Sequence, residues 1–124
     1  LSYADLNDVG EGSPVNKDEA IKYYKMAIDK GNGVAMNNYA YILETGEGIQ
    51  CNKEEAIKYY KMAIDKDIPS AMYHYGKMLH YGEGTEVNKQ EAIKYYKMAI
   101  EKGDNRAQDE LIKLLKQPWI KNFE

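Results

Sequence analysis

The sequence predicts an all-α fold in which pairs of helices stack on one another. Three observations predict it. The string Glu-Ala-Ile-Lys-Tyr-Tyr-Lys-Met-Ala-Ile occurs at Glu19–Ile28, Glu55–Ile64 and Glu91–Ile100, with both offsets equal to 36 residues. Gly-Glu-Gly recurs in the same register, at Gly10–Gly12, Gly46–Gly48 and Gly82–Gly84. So does Asn-Lys, at Asn16-Lys17, Asn52-Lys53 and Asn88-Lys89. A period of this length marks one supersecondary unit that buries its apolar face only by stacking on its neighbours.

Each period holds two helices, A and then B. The first A helix is cut short, because Tyr3 to Asp8 align with only its second half. Helix B opens at the Asn, a favoured N-cap. Glu19, Glu55 and Glu91 follow three places later, the capping-box spacing with Asn in the place of Ser or Thr. The helix runs to Lys30, Lys66 and Lys102, where Gly31 and Gly103 stop it. Asp67 breaks that rule, so Ile68-Pro69 is expected to end the second B helix. Pro69 then suits the first turn of the next helix. Lys22, Lys25 and Asp29 form a narrow polar stripe on helix B, flanked by Ala20, Ile21, Tyr23, Tyr24, Met26, Ala27 and Ile28. Such a helix is covered on several sides, and the stripe is its outer wall, with Asp18–Lys22 and Glu54–Lys58 as weak i,i+4 pairs.

Helix A of the second repeat buries Ala35, Met36, Tyr39, Ala40 and Leu43, and that of the third Ala71, Met72, Tyr75, Gly76 and Leu79. Ala4, Ala40 and Gly76 are equivalent, which predicts a close backbone approach there. The paired glycines of the turn predict positive φ at one or both. The expected organisation is a single domain, 1–124: a truncated repeat over 1–31, full repeats over 32–67 and 68–103, and a C-terminal capping helix with its tail over 104–124. In the last piece Arg106–Lys116 aligns with a fourth helix A, Ile112 replaces the small residue, Pro118-Trp119 replaces the turn, and no helix B follows. Trp119, Ile120 and Phe123 either fold back over the last apolar edge or form a peptide-like tail for a partner.

Composition agrees with a globular chain: 124 residues, 44% hydrophobic and 30% charged. A net charge of −3 speaks against a strongly basic nucleic-acid binder. One cysteine excludes an internal disulfide framework and leans towards a reducing, cytoplasmic compartment without fixing one. No apolar run is long enough to cross a bilayer, and no secretory signal opens the chain. Leu1 in place of Met reads as a fragment or a processed piece, compatible with a longer chain or a larger complex.

The quoted residues resemble the Sel1-like repeat, a 36-residue relative of the tetratricopeptide repeat. The match runs through Ala71, Tyr75-Gly76, Gly82 and Gly84, Ala92, Tyr95-Tyr96, Ala99-Ile100 and Gly103. The chain departs from the pattern by Tyr for the Leu of helix A, Tyr for the usual Trp of the aromatic pair and Met before Ala-Ile. The resemblance implies a right-handed α-α superhelical solenoid of antiparallel pairs, a concave surface lined mostly by A helices, and a scaffold or adaptor role.

Catalytic and cofactor chemistry finds little support. None of Ser2, Ser13 and Ser70 lies in a Ser-x-x-Lys or Gly-x-Ser-x-Gly setting. His74 and His80 are six residues apart, poor spacing for a shared metal, and read as surface or rim histidines. Cys51 precedes a helix N-terminus, but its equivalents are Val15 and Val87, so it reads as a small semi-buried hydrophobe. Gly-Glu-Gly lacks the Gly-Lys-Ser/Thr of a phosphate loop. Lys-Tyr-Tyr-Lys could stack on bases, yet its tyrosines lie on the apolar arc and read as core. The expectation is therefore no cofactor, no metal, no nucleic acid and no membrane insertion.

Recognition is expected where helix A varies between copies. Asn37, Tyr73 and Asp109 are equivalent, as are Asn38, His74 and Glu110, then Tyr41, Lys77 and Lys113, then Glu44, His80 and Lys116. These positions lie opposite Tyr39 and Tyr75. One reading is a groove for a protein or peptide with Tyr41 and Tyr73 as aromatic anchors, Lys77 and Lys113 for acidic groups, and Asn37, Asn38, His74 and Asp109 beside them. The other is drift on a solvated face. Three classes follow: an interaction scaffold, a structural segment of a longer solenoid contacting neighbours through its ends and edges, and an enzyme, the least supported.

Overall fold

A computed structural model describes residues 17–116. Six helices occur among them: α1 Lys17–Asp29, α2 Gly33–Thr45, α3 Lys53–Asp65, α4 Pro69–Tyr81, α5 Lys89–Glu101 and α6 Arg106–Leu115. The first helix A and the Trp119–Phe123 tail lie outside the described residues. The chain divides into two compact units, Leu1–Asp67 and Ile68–Glu124.

In the first unit α2 packs on α3. Ala35, Met36, Tyr39, Ala40 and Leu43 are buried, as helical periodicity requires. They meet Ala56, Tyr60 and Ala63 of α3, all fully buried. Tyr39 and Tyr59 stand edge to face with ring centres 5.0 Å apart, and Lys25 of α1 lies 5.6 Å from the Tyr39 ring centre. The other unit repeats the arrangement on α4 and α5. Ala71, Met72, Tyr75, Gly76 and Leu79 are buried, against Ala92, Tyr96 and Ala99. Tyr75 and Tyr95 form the matching edge-to-face pair, again at 5.0 Å. α6 packs on α5 through Ala107 and Leu114, both fully buried.

Local chemistry explains the ends. Asn52 Oδ1 accepts the Glu55 backbone N–H at 3.0 Å, and Asn88 Oδ1 accepts that of Glu91 at 3.1 Å. The reciprocal arm of the capping box is different from expectation. The Asn52 backbone N–H donates to the Leu43 carbonyl at 2.8 Å, and the Asn88 N–H to the Leu79 carbonyl at 2.9 Å. Glu55 Oε1 instead accepts a hydrogen bond from the Asn52 side-chain Nδ2 at 3.4 Å. Helix A thus supplies the acceptor that the box would otherwise find within helix B, which ties the pair together.

Among the described residues the turn glycines Gly46, Gly48, Gly82 and Gly84 all have positive φ. At Gly82 space matters too, since a Cβ would lie 2.7 Å from Val87 Cγ2. Asp67 corrects the sequence expectation: it does not hand the stop to Ile68-Pro69 but adopts φ 66° itself. Its N–H reaches the Ile64 carbonyl at 2.8 Å, as Gly31 reaches Ile28 and Gly103 reaches Ile100. Asp is among the few residues that visit this region at modest cost. Cys51 and Val87 are corrected as well. Both are exposed, because the turn places them over its rim, and the Cys51 thiol donates to the Glu44 carbonyl at 3.2 Å. Met26 of α1 is 46% exposed, so the wall of that helix is less covered than its narrow polar stripe predicts.

Candidate functional site

The helix-A positions that vary between copies divide into three groups in the structure. Tyr41, Asp109 and Lys113 are exposed, and Asn38, His74 and Lys77 are half-buried. Asn37 and Tyr73 are buried, each 9% exposed, which corrects their expected outward placement. Tyr73 is covered from one side by the Arg106 guanidinium, 4.5 Å from the ring centre. Lys77 Nζ lies 5.4 Å from the same ring centre. Tyr73 is therefore the floor of a cationic cluster rather than a free anchor.

Arg106 is the residue that sequence reasoning missed. Its Nη2 donates to Ser70 Oγ at 3.2 Å and to Asp104 Oδ2 at 2.6 Å, while Nε donates to Asp104 Oδ1 at 2.9 Å. The hydrogen bonds from Arg106 hold the Asp104 carboxyl below the usual carboxylate range. The available signal was the charge change at one repeat position, where Val34, Ser70 and Arg106 align. The His74 ring sits 5.1 Å from the Tyr73 ring. Burial, helped by Arg106 and Lys77, pushes the His74 imidazole down to about 4.

Glu44 and His80 also depart from the expected solvated face. Each turns inward to the phenol of the following helix B. Tyr60 Oη donates to Glu44 Oε1 at 2.7 Å, and His80 Nδ1 lies 2.9 Å from Tyr96 Oη. His80 is 3% exposed, so the expectation of two rim histidines fails for it. Burial raises both phenols and lowers the His80 imidazole. Tyr81 Oη donates to Glu110 Oε1 at 2.7 Å, and that bond pushes the Tyr81 phenol up to about 12. Lys113 Nζ lies 3.7 Å from the other Glu110 oxygen.

Among the described residues no three His, Cys, Asp or Glu side chains converge as a metal site. No helix among them is long and apolar enough to cross a membrane. The second unit offers cation–π contact, hydrogen-bonding side chains and the exposed Tyr81, and the first unit offers the exposed Tyr41.

The Sel1 repeat family model matches residues 2–32, 33–68 and 69–104. The chain belongs to the Sel1 repeat family. No curated protein matches it. A Sel1 repeat protein from Oxalobacter formigenes has 34% identity and a TM-score of 0.79, over 87% of this chain and 44% of that one. The c5321 protective antigen of uropathogenic Escherichia coli strains, which displays an SLR fold, has 26% identity and a TM-score of 0.80, over 87% of this chain and 23% of that one. Helicobacter pylori cysteine rich protein B shares the fold at 22% identity, with a TM-score of 0.72 over 78% of this chain and 73% of that one. The chain thus spans less than half the length of the first two. Its described helices and its repeats make it an all-α, TPR-like helical-repeat protein. Sel1 repeat proteins generally mediate protein–protein interaction and are generally non-catalytic scaffolds.

Proposed function

We propose that this Sel1 repeat chain is an interaction scaffold or adaptor that takes a partner peptide or protein surface on its A-helix face. The observation that carries the reading is Tyr41, an aromatic 42% exposed on a helix whose other tyrosine, Tyr39, is 6% exposed. Exposed aromatics of this kind are the anchors that protein interfaces favour. Asn38, His74 and Lys77 supply adaptable polar contacts, with Asp109 and Lys113 on α6. Asn37 and Tyr73 are buried, each within its own unit. The reading assigns the chain no catalytic step, no cofactor and no nucleic acid.

A second reading is a structural segment that contacts neighbours through its ends and edges. Ile112 and Leu115 of α6 favour it, at 43% and 46% exposure. The equivalent Ala40 is fully buried, and Leu43 and Leu79 are each 4% exposed.

The two readings separate in an affinity capture from source cells. The baits are the intact chain, a face variant (Tyr41→Ala, Lys77→Glu, Lys113→Glu) and an edge variant (Ile112→Lys, Leu115→Glu), each shown to be helical by circular dichroism. A partner lost only from the face variant supports the adaptor. A partner lost only from the edge variant overturns it in favour of the structural segment.

A further inference from the structure

We infer that His80 is a proton-sensitive latch that holds α6 down when neutral and releases it when protonated. Three helices meet at this ring. Nδ1 lies 2.9 Å from Tyr96 Oη of α5 and 3.9 Å from Glu110 Oε1 of α6. The ring stacks on Tyr81 of α4 with centres 4.1 Å apart. Tyr81 in turn donates to Glu110 at 2.7 Å. His80 therefore touches both arms of the α4–α6 clasp while being almost wholly inside the protein.

The repeat itself identifies the neutral state. At the equivalent place in the first unit the Tyr60 hydroxyl donates to the Glu44 carboxylate. A carboxylate there is an acceptor only. By the same geometry Tyr96 donates to His80, so Nδ1 is the acceptor and the ring proton is on Nε2. A proton added at Nδ1 turns that acceptor into a second donor aimed at a hydroxyl. The Tyr96 proton must then point elsewhere, around a side chain with no exposure to water. Unpaired donors in such a place are costly.

The surrounding charges do not rescue the imidazolium. The groups acting on His80 are Lys77 of α4, Lys89 and Tyr96 of α5, and Glu110 and Lys113 of α6, with Tyr81 stacked on the ring. Glu110 is the sole anion of that set, and it already accepts from Tyr81 and lies 3.7 Å from Lys113. Three lysines oppose it. Burial and those lysines hold the imidazole below its ordinary range. An opened α6 would let water reach the charged ring and relieve all of these terms. Because the closed form binds the proton less tightly, acid favours the open one.

The test is amide hydrogen exchange on the full chain between pH 7 and 5, corrected for intrinsic exchange and resolved by helix. The expected result is a loss of protection confined to α6, about tenfold for each pH unit below the ordinary imidazole range. His80→Gln should abolish the pH dependence specific to α6, and His74→Gln should keep it. The chain has two histidines, so the His80 ring resonance can be followed directly in the unmodified protein, and it should titrate together with the α6 amides. Protection of α6 that stays constant or rises in acid overturns the latch. So does an equal acid response in a folded His80→Gln protein, or a His80 resonance that titrates apart from α6.

Discussion

Gly76 offers a direct check on how tightly α4 and α5 are packed. A Cβ built there would lie 2.9 Å from both Cδ1 and Cε1 of Tyr96. The ring has little room to retreat, since Tyr96 has 0% exposure and its hydroxyl is 2.9 Å from His80. Gly76→Ala therefore sets two effects against each other. Helix propensity favours Ala over Gly by about 1 kcal/mol. Overpacking a rigid core costs roughly 1–3 kcal/mol. The net expectation is a destabilisation of about 1 kcal/mol, or a fall in melting temperature of roughly 4 °C for a chain of this size. Gly76→Leu should lose more, about 2–3 kcal/mol. Thermal unfolding followed by circular dichroism gives both values. The tether can be isolated by repeating Gly76→Ala in a Tyr96→Phe background. Without the hydroxyl the ring can slide, so the Ala should cost less there, with a coupling on the order of 0.5–1 kcal/mol. A melting temperature that rises with Gly76→Ala would refute the argument, because it would mean the ring yields and glycine is not required by close approach.

Further consequences follow from the ends and the titrating groups. Asn52→Ala and Asn88→Ala should each cost about 1 kcal/mol in urea unfolding, since each removes an N-cap acceptor. Asp67→Gly should raise the melting temperature slightly, by about 0.5–1 kcal/mol of stability, as glycine relieves a left-handed backbone. An unchanged or lower value would show that the Asp67 side chain matters more than its φ. His74 bears on acid stability, and the sign is definite. Its imidazole is depressed to about 4 in the fold, against an ordinary value of about 6.5 when unfolded. The unfolded chain thus binds the extra proton first, and this contribution is complete above about pH 6.5 and is lost as pH falls towards 4. For a half-buried ring the loss amounts to about 2 kcal/mol after discounting for solvent. His74→Gln should flatten the stability profile across that window in urea titrations, and an unaltered profile would remove His74 as the cause.

The repeat was legible because its signals are local. N-caps, turn glycines and apolar spacing act within four or five residues, so one copy of the motif suffices to place a helix and three copies confirm the register. The buried faces Ala35–Leu43 and Ala71–Leu79 followed from periodicity alone. The candidate recognition face was only partly legible. Tyr41, Asp109 and Lys113 are exposed as their positions predict. Tyr73 is not, because Arg106 reaches over from α6 to cover it, and no spacing rule reports such a reach. His80 looked like a rim residue for the same reason. Its burial depends on Tyr96 and Glu110, 16 and 30 residues away in the chain.

By itself, then, the sequence determined that helices form here, where the B helices among the described residues start, the apolar faces Ala35–Leu43 and Ala71–Leu79, and that the unit repeats every 36 residues. Tertiary structure alone decided what the variable positions do. It set Glu44 and His80 against buried phenols, placed Arg106 over Tyr73, and left Tyr41 exposed. The physical reason is range. Backbone hydrogen bonds and caps are satisfied between near neighbours. The burial and charge state of a side chain depend on whatever the fold brings across from another helix.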